Sequence, residues 1–164
     1  MKTLLSWNKR AFSSTCRIFS GEKMLGELSD HAFKRTAQGH IRNKHYRFQT
    51  NGLFRQETRI IDGKNNQVIG KISYNSMMSK ANIRFADRTI RWKYDNAWQT
   101  RWSLSDDQGI LMKFAGGFSR GTVEYEKDDD LLVLTGMFVT NYYQQAMIAI
   151  FVAVFIPIWV TLFS

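Results

Sequence analysis

The chain has 164 residues, 44% of them hydrophobic and 14% aromatic, a composition that fits one globular domain and excludes an intrinsically disordered protein. Lys and Arg number 23 against 14 Asp and Glu, and this net charge of +9 favours nucleic acid, anionic lipid or an acidic protein as a partner; solubility alone is the other explanation. The single cysteine, Cys16, excludes an internal disulfide and a cysteine-based zinc site.

The first twenty residues, MKTLLSWNKRAFSSTCRIFS, contain four basic side chains, several serines and no acidic side chain. This is the composition of a mitochondrial transit peptide, so a mitochondrial location is one alternative. The following pattern favours a structural role instead, because TCRIFSGEKMLGEL reads as strand, Ser-Gly turn and strand. We therefore expect Cys16 to be a small buried residue and not a nucleophile.

Residues 14–127 alternate between apolar and polar side chains with a period of two. TIRWKY and HYRFQ are typical segments, and Gly, Asn or Asp turn signals separate them at short intervals. Alternation of this kind indicates strands with one buried and one wet face, joined as an antiparallel meander. We predict an all-β domain over residues 1–130 in which about ten to twelve strands close into a barrel, since open edges favour aggregation.

Basic side chains concentrate in two parts of the predicted barrel. Residues 31–56 contain many cations and no carboxylate, and the segment TIRWKY places its cations opposite its aromatic residues. Outward cations without neighbouring aromatic residues fit lipid headgroups better than nucleic acid, which favours stacking. The candidate residues for anion or lipid binding are Lys34, Arg35, Arg42, Lys44, Arg47, Arg91 and Lys93.

Residues 131–164 form a tail that carries no charge, directly after three aspartates. The tail is apolar almost all round at helical spacing, which is typical of a helix buried in protein or in a membrane. Asp130 is placed to cap its first turn. Two uses are compatible: residues 131–145 would fill the barrel, and residues 146–163, about 27 Å of helix, would span a bilayer.

Small and polar side chains give the predicted helix a stripe for close packing. Thr140 and Gln144 follow Gly136 at intervals of four, and Ala149 and Ala153 form a small-xxx-small pair. Trp159 is expected near a membrane interface. The contacts predicted for helix and membrane packing therefore involve Gly136, Thr140, Gln144, Ala149, Ala153 and Trp159.

A barrel of about twelve strands closed around an apolar C-terminal helix resembles the tubby C-terminal-like superfamily. That group includes LURP-one-related proteins and phospholipid scramblases, and the resemblance covers residues 14–145. The segment RIIDGKNNQVIGKISY is similar to the strand, D-x-x-G/N, strand hairpin of these proteins. The resemblance implies binding to anionic lipid, including phosphoinositides, or a scramblase-like handling of lipid.

Side chains that would indicate catalysis or metal binding are sparse. His31, His40 and His45 lie close in sequence, but no nearby carboxylate completes a ligand set, and exposed strand histidines are the simpler interpretation. The sequence contains no Gly-rich phosphate loop and no nucleophile signature. We expect no enzyme activity, no cofactor and no metal.

The preferred function is therefore a membrane-associated barrel, with its barrel domain in the cytoplasm, that binds anionic lipid headgroups. A first alternative is a structural or accessory subunit of a membrane complex, anchored by the C-terminal helix. A second is a nucleic-acid-binding barrel whose tail is entirely buried, which we regard as the less favoured partner class.

Overall fold

The computed structural model describes residues 1–11, 13–31, 34–52 and 56–164, which form twelve strands and one helix. The elements in chain order are β1 (Thr3–Lys9), β2 (Thr15–Ser20), β3 (Lys23–Ser29), β4 (Thr36–Ile41), β5 (Lys44–Asn51), β6 (Glu57–Asp62), β7 (Val68–Tyr74), β8 (Lys80–Phe85), β9 (Thr89–Tyr94), β10 (Arg101–Asp106), β11 (Gly109–Gly116), β12 (Arg120–Tyr125) and α1 (Asp130–Phe163).

Each strand pairs with its sequence neighbour in antiparallel fashion, and β1 pairs with β12 to close the ring. The closed barrel around a C-terminal helix confirms the predicted fold class. The alternation described over residues 14–127 does not include β1, which precedes it and supplies the closing strand. Its own pattern explains the pairing: Leu5 and Trp7 point into the core, and Leu4 beside them points out.

The barrel interior is filled jointly by inward strand side chains and by the first part of α1. Leu132, Val133 and Leu134 are fully buried there, and the Phe138 ring stacks on Phe48 with centroids 4.6 Å apart. Burying each such side chain contributes about 1.5–3 kcal/mol. A barrel of this size needs such a filler, because its own inward side chains do not reach the axis.

The start of α1 is fixed by Asp129, whose carboxylate accepts a hydrogen bond from the Leu132 backbone amide at 3.1 Å. Asp129 has an extended backbone, with φ of −150°, as a capping residue requires. The prediction that Asp130 caps the helix was wrong. Asp130 is the first helical residue and points into the barrel wall, where it pairs with Arg42 and Lys44.

α1 runs without interruption for 34 residues, through the barrel and beyond it. Its side chains are buried as far as Thr140 and again at Tyr143, and every residue from Met147 onward is exposed. Pro157 lies inside the exposed part without ending the helix. The alternative in which the whole tail is internal therefore does not describe this fold.

The two ends of the barrel differ in their connections and in their relation to α1. The end where α1 begins is called the aspartate end; it holds the short turns β2–β3, β4–β5, β6–β7, β8–β9 and β10–β11. The end where α1 leaves is called the exit end; it holds the other connections, from β1–β2 to β11–β12. The alternating direction of the strands assigns each connection to its end.

Candidate functional site

Polar contacts hold α1 in the mouth of the barrel at the exit end. The amide of Asn141 donates to the Asp30 carboxylate at 2.7 Å and accepts from the Lys9 ammonium at 3.2 Å. One turn later, Gln145 donates to the Asp30 backbone carbonyl at 3.3 Å. Tyr142 donates to the side chain of Gln56 on another side of the mouth. The helix is thus fixed to the rim at residues 141–145.

A tyrosine cluster completes this collar. Tyr74 stacks on Tyr142 with centroids 3.9 Å apart, and the buried Tyr143 hydroxyl donates to the carbonyl of Lys80 and accepts from the Asn75 amide at 3.1 Å. Burial raises the pKa of Tyr143 to about 12, so its hydroxyl keeps its proton and remains a donor at neutral pH. The tyrosines of the collar therefore act through packing and hydrogen bonds.

No spacer separates the collar from the exposed part of α1. Gln145 contacts the barrel, Ala146 is half-buried, and Met147 is the first exposed residue. By length and composition the helix could cross a membrane, and none of its most apolar stretch is buried. Residues 146–163 are uncharged and extend about 27 Å, close to the thickness of a bilayer core. Whatever covers this segment must lie directly against the exit end.

Lys34 and Arg35 lie at the exit end, beside an open cavity of about 410 Å³ between α1 and the β4–β5 wall. Phe48, Phe138 and Ala149 contribute its apolar lining. Within the described residues, the Arg35 guanidinium donates a long hydrogen bond of 3.5 Å to the Gly52 carbonyl. Both cations are exposed, and neither forms an ion pair with the residues that the structure describes.

Cations outnumber carboxylates at the exit end among the described residues. Seven cations lie in its connections or at its strand ends: Lys9, Arg10, Lys34, Arg35, Lys80, Arg101 and Arg120. The three carboxylates there are Asp30, Glu57 and Asp95. Burial raises the pKa of Asp30, and the hydrogen bond from Asn141 opposes the rise. The exit end therefore presents a positive surface.

Arg42 and Lys44 belong to the opposite end of the barrel. Both pair with the buried carboxylate of Asp130, Arg42 through its guanidinium and Lys44 at 3.3 Å. The Asp130 side chain is only 5% exposed, so the two cations lie beside a carboxylate that is largely shielded from water. Arg42 adopts a left-handed backbone with φ of 53°, in the β4–β5 turn. Their contacts give these residues a structural role.

The other predicted cations lie on the outer wall and also have partners. Arg47 donates to the side chain of Asn66. Arg91 pairs with Asp107 at 2.9 Å, and Lys93 lies 3.9 Å from Asp95. The structure therefore does not bring the seven predicted residues onto one face. Of that set, only Lys34 and Arg35 lie beside the exposed helix.

The residues predicted to pack along the helix divide between its two parts. Gly136 faces the Phe114 ring so closely that a β-carbon would lie 2.4 Å from it, and the Thr140 hydroxyl donates to the Gly136 carbonyl at 2.9 Å. Gln144 is half-buried at the mouth. Ala149, Ala153 and Trp159 are exposed outside the barrel.

Groups with catalytic or metal-binding chemistry do not converge within the described parts of the chain. No three His, Cys, Asp or Glu side chains there are arranged to hold a metal ion. His40 and His45 stack with centroids 5.5 Å apart on the outer wall. Burial raises the pKa of the Cys16 thiol to about 12, so the thiolate nucleophile does not form at neutral pH.

Sequence reasoning missed three polar residues of the collar, namely Lys9, Asp30 and Asn141. The sequence did contain a signal for Asn141, because an Asn inside an apolar helix needs a hydrogen-bond partner when it is buried. Nothing in the local sequence identifies that partner. It comes from the β3–β4 connection, 111 positions earlier in the chain.

No protein-family model, curated protein or solved structure matches the chain. The geometry of the exit end and of α1 is therefore the basis for the functional conclusion.

Proposed function

We propose that the protein is a membrane-anchored, non-enzymatic barrel that binds anionic lipid headgroups at its exit end. Residues 146–163 would be the anchor. One observation carries the proposal: a single unbroken helix is the filler of the barrel as far as Tyr143 and is exposed and apolar from Met147. Water does not favour so large an exposed apolar surface, and a bilayer would bury it.

The missing spacer sets the position of the barrel relative to the bilayer. The last contact with the barrel is at Gln145, and the apolar segment begins at the next residue. If residues 146–163 span the membrane, the exit end must lie at the headgroup layer. The cytoplasmic leaflet carries anionic lipids and a negative surface potential, which supports a barrel on the cytoplasmic side.

This position selects among the predicted lipid-binding residues. Lys34 and Arg35 lie at the exit end, where headgroups would be. Arg42 and Lys44 contact Asp130, about 20 Å away along the helix from Tyr143. At that distance exposed charges are screened at physiological ionic strength. The proposed headgroup site therefore contains the first pair and excludes the second.

The predicted resemblance to tubby-like proteins is consistent with this role. Twelve strands around a C-terminal helix support it at the level of architecture alone, so the resemblance stays a prediction. A transit peptide fits less well, because its removal would take away β1 (Thr3–Lys9) and open the barrel.

The anchor is tested by extraction of membranes with alkaline carbonate. We expect the full chain to stay in the membrane fraction. Ala153→Arg/Phe155→Arg should be released, since each Arg near the centre of a span costs about 2.5–3.5 kcal/mol. Both residues are exposed beyond the barrel, so its folding should not change.

The matched control for the anchor adds two arginines at the aspartate end, as Gln67→Arg/Gln108→Arg. Both positions are exposed, and this variant should be retained like the wild type. Release of the wild-type chain by carbonate would contradict the anchor.

Headgroup binding is tested by native mass spectrometry of the full chain in detergent, with phosphatidylserine or phosphatidylcholine added. Two interfacial cations at about 1 kcal/mol each predict that Lys34→Ala/Arg35→Ala retains phosphatidylserine about 30-fold less at low salt. Lys23→Ala/Lys64→Ala removes the same charge at the aspartate end and should bind normally. Equal retention of the two lipids by the wild type would argue against the site.

The exposed Ala149–Ala153 pair favours a second candidate function, an accessory subunit of a membrane complex. Two small residues one turn apart let another helix approach closely. Ala149→Leu/Ala153→Leu keeps the segment apolar but would block such contact. Loss of co-purifying membrane proteins with unchanged carbonate resistance would support this candidate over a purely lipid-binding role.

A further inference from the structure

Among the residues that the structure describes, three connections at the exit end carry a large apolar side chain that faces solvent. Met77 in β7–β8 is 80% exposed, Trp98 in β9–β10 is 87% exposed and Phe118 in β11–β12 is 67% exposed. The aspartate-end turns carry no side chain of this kind, since their sequences are GE, RN, GKNNQ, ADR and DQ. Exposed apolar side chains near the aspartate end, including Met24, Val68 and Ile110, lie at the starts of strands and not at the tips of the turns.

Each apolar tip is followed by an exposed cation at the start of the next strand. Lys80 begins β8, Arg101 begins β10 and Arg120 begins β12. Each rim loop thus places a cation two or three residues after an apolar side chain. This spacing suits a membrane interface, where a phosphate layer lies above the acyl boundary. Phosphates lie outermost there, and the acyl boundary lies a few ångströms deeper.

We infer that the loop tips Met77, Trp98 and Phe118 enter the membrane interface of the leaflet that α1 crosses, with Lys80, Arg101 and Arg120 on its phosphates. The inference rests on the proposed anchor. It adds a second, independent contact with the bilayer, made by loops other than the one that holds Lys34 and Arg35. The bilayer is the occupant that the structure favours, because α1 leaves the same rim without a spacer.

Insertion into the bilayer would bury these three side chains, which are exposed in the protein alone, and no protein partner is needed to cover them. Trp and Phe bury large areas, and Trp is enriched at the headgroup level because its ring is amphipathic. Three loops and one helix would then fix the tilt and depth of the barrel. The exit end of the barrel would then contact the leaflet through several loops in addition to α1.

The test uses the full chain in vesicles of phosphatidylcholine and phosphatidylserine. In a Cys16→Ser background, single cysteines are introduced as Met77→Cys, Trp98→Cys or Phe118→Cys and labelled with an NBD fluorophore. Lipid carrying a doxyl quencher near the headgroup end of its acyl chain reports entry into the interface. All three positions are at least two-thirds exposed, so the substitutions remove few packing contacts.

Two further positions separate the possible results. Val152→Cys labels the proposed anchor, and Gln108→Cys labels the aspartate end. We expect doxyl lipid to quench NBD emission at 77, 98, 118 and 152 and to leave the emission at 108 unchanged. Iodide in the water should quench the label at residue 108 strongly and the labels at residues 77, 98, 118 and 152 weakly.

The inference and the anchor fail in distinguishable ways. If doxyl lipid quenches the label at residue 152 but not the labels at the three loop tips, the inference is wrong and the proposed anchor is still supported. An unquenched label at 152 would overturn the anchor, and the loop inference with it.

Discussion

At the scale of single residues, Asp130 determines how the base of the barrel is held together. Its carboxylate is buried where the helix begins, and Arg42 and Lys44 approach it from the β4–β5 turn. An isolated buried carboxylate would be very costly, so the two neighbouring cations stabilise this end of the barrel. Arg42 has a left-handed backbone in the two-residue β4–β5 turn, a conformation that few non-glycine residues adopt.

We predict that Arg42→Ala lowers the free energy of unfolding by about 1–3 kcal/mol, because Asp130 loses one of its two cations. Because Arg42 is partly exposed and Lys44 still pairs with Asp130, we expect the loss to lie in the lower part of that range. The control is Arg47→Ala, which removes a surface hydrogen bond to Asn66 and should change stability by no more than about 0.5 kcal/mol. Denaturant unfolding in detergent measures both. Equal stabilities would show that the pair is not structural.

At the scale of elements, the fit of α1 to the barrel depends on one close contact. Gly136 lets the helix backbone approach the Phe114 ring, which itself stacks on Trp102 with centroids 5.6 Å apart. A larger residue would have to push a buried aromatic pair outward. Interiors packed at native density resist such movement.

We predict that Gly136→Ala is destabilising, although Ala favours helix by about 1 kcal/mol over Gly. Overpacking against Phe114 costs about 1–3 kcal/mol, which outweighs that gain and leaves an expected net loss of up to about 2 kcal/mol. Gly117→Ala is the control, since a β-carbon there meets no atom within 4 Å. Thermal unfolding followed by near-ultraviolet circular dichroism compares the two. A more stable Gly136→Ala protein would show that the ring moves freely.

The elements themselves could be predicted because strand alternation and helix apolarity are local signals. TIRWKY buries Ile90 and Trp92 as its period of two requires, and the uncharged tail is a helix as far as Phe163. The proposed binding surface could not be predicted in this way, because it depends on contacts between segments that are far apart in the sequence. Arg42, Lys44 and Arg91 follow the same outward pattern as unpaired cations, and their carboxylate partners come from distant or unrelated segments. Periodicity gives the face of a residue but not its neighbours across the fold.

At the scale of the whole molecule, charge is distributed unevenly along the barrel axis. Nine of the 14 carboxylates lie in the turns and strand ends of the aspartate end or in the adjoining segment that leads into α1: Glu22, Asp62, Asp87, Asp106, Asp107, Glu126, Asp128, Asp129 and Asp130. The exit end has an excess of cations among its described residues. On the proposed anionic membrane, a net charge of +9 would attract the protein, and this asymmetry would turn its exit end toward the surface.

The threaded helix also dictates an order of events during folding. The seam of the ring pairs Thr3 with Tyr125, so its closure joins segments from nearly opposite ends of the barrel sequence. Such distant pairing is slow, because chain entropy is lost before contacts compensate for it. A closed ring could not readily admit α1, since the free end of the helix, residues 146–163, would have to be threaded through the whole ring from the aspartate end. The helix must therefore be in place before the β1–β12 seam forms, and pulse-labelling hydrogen exchange should protect amides of residues 133–140 no later than those of β1. Earlier protection of β1 would show that the ring can close without its filler.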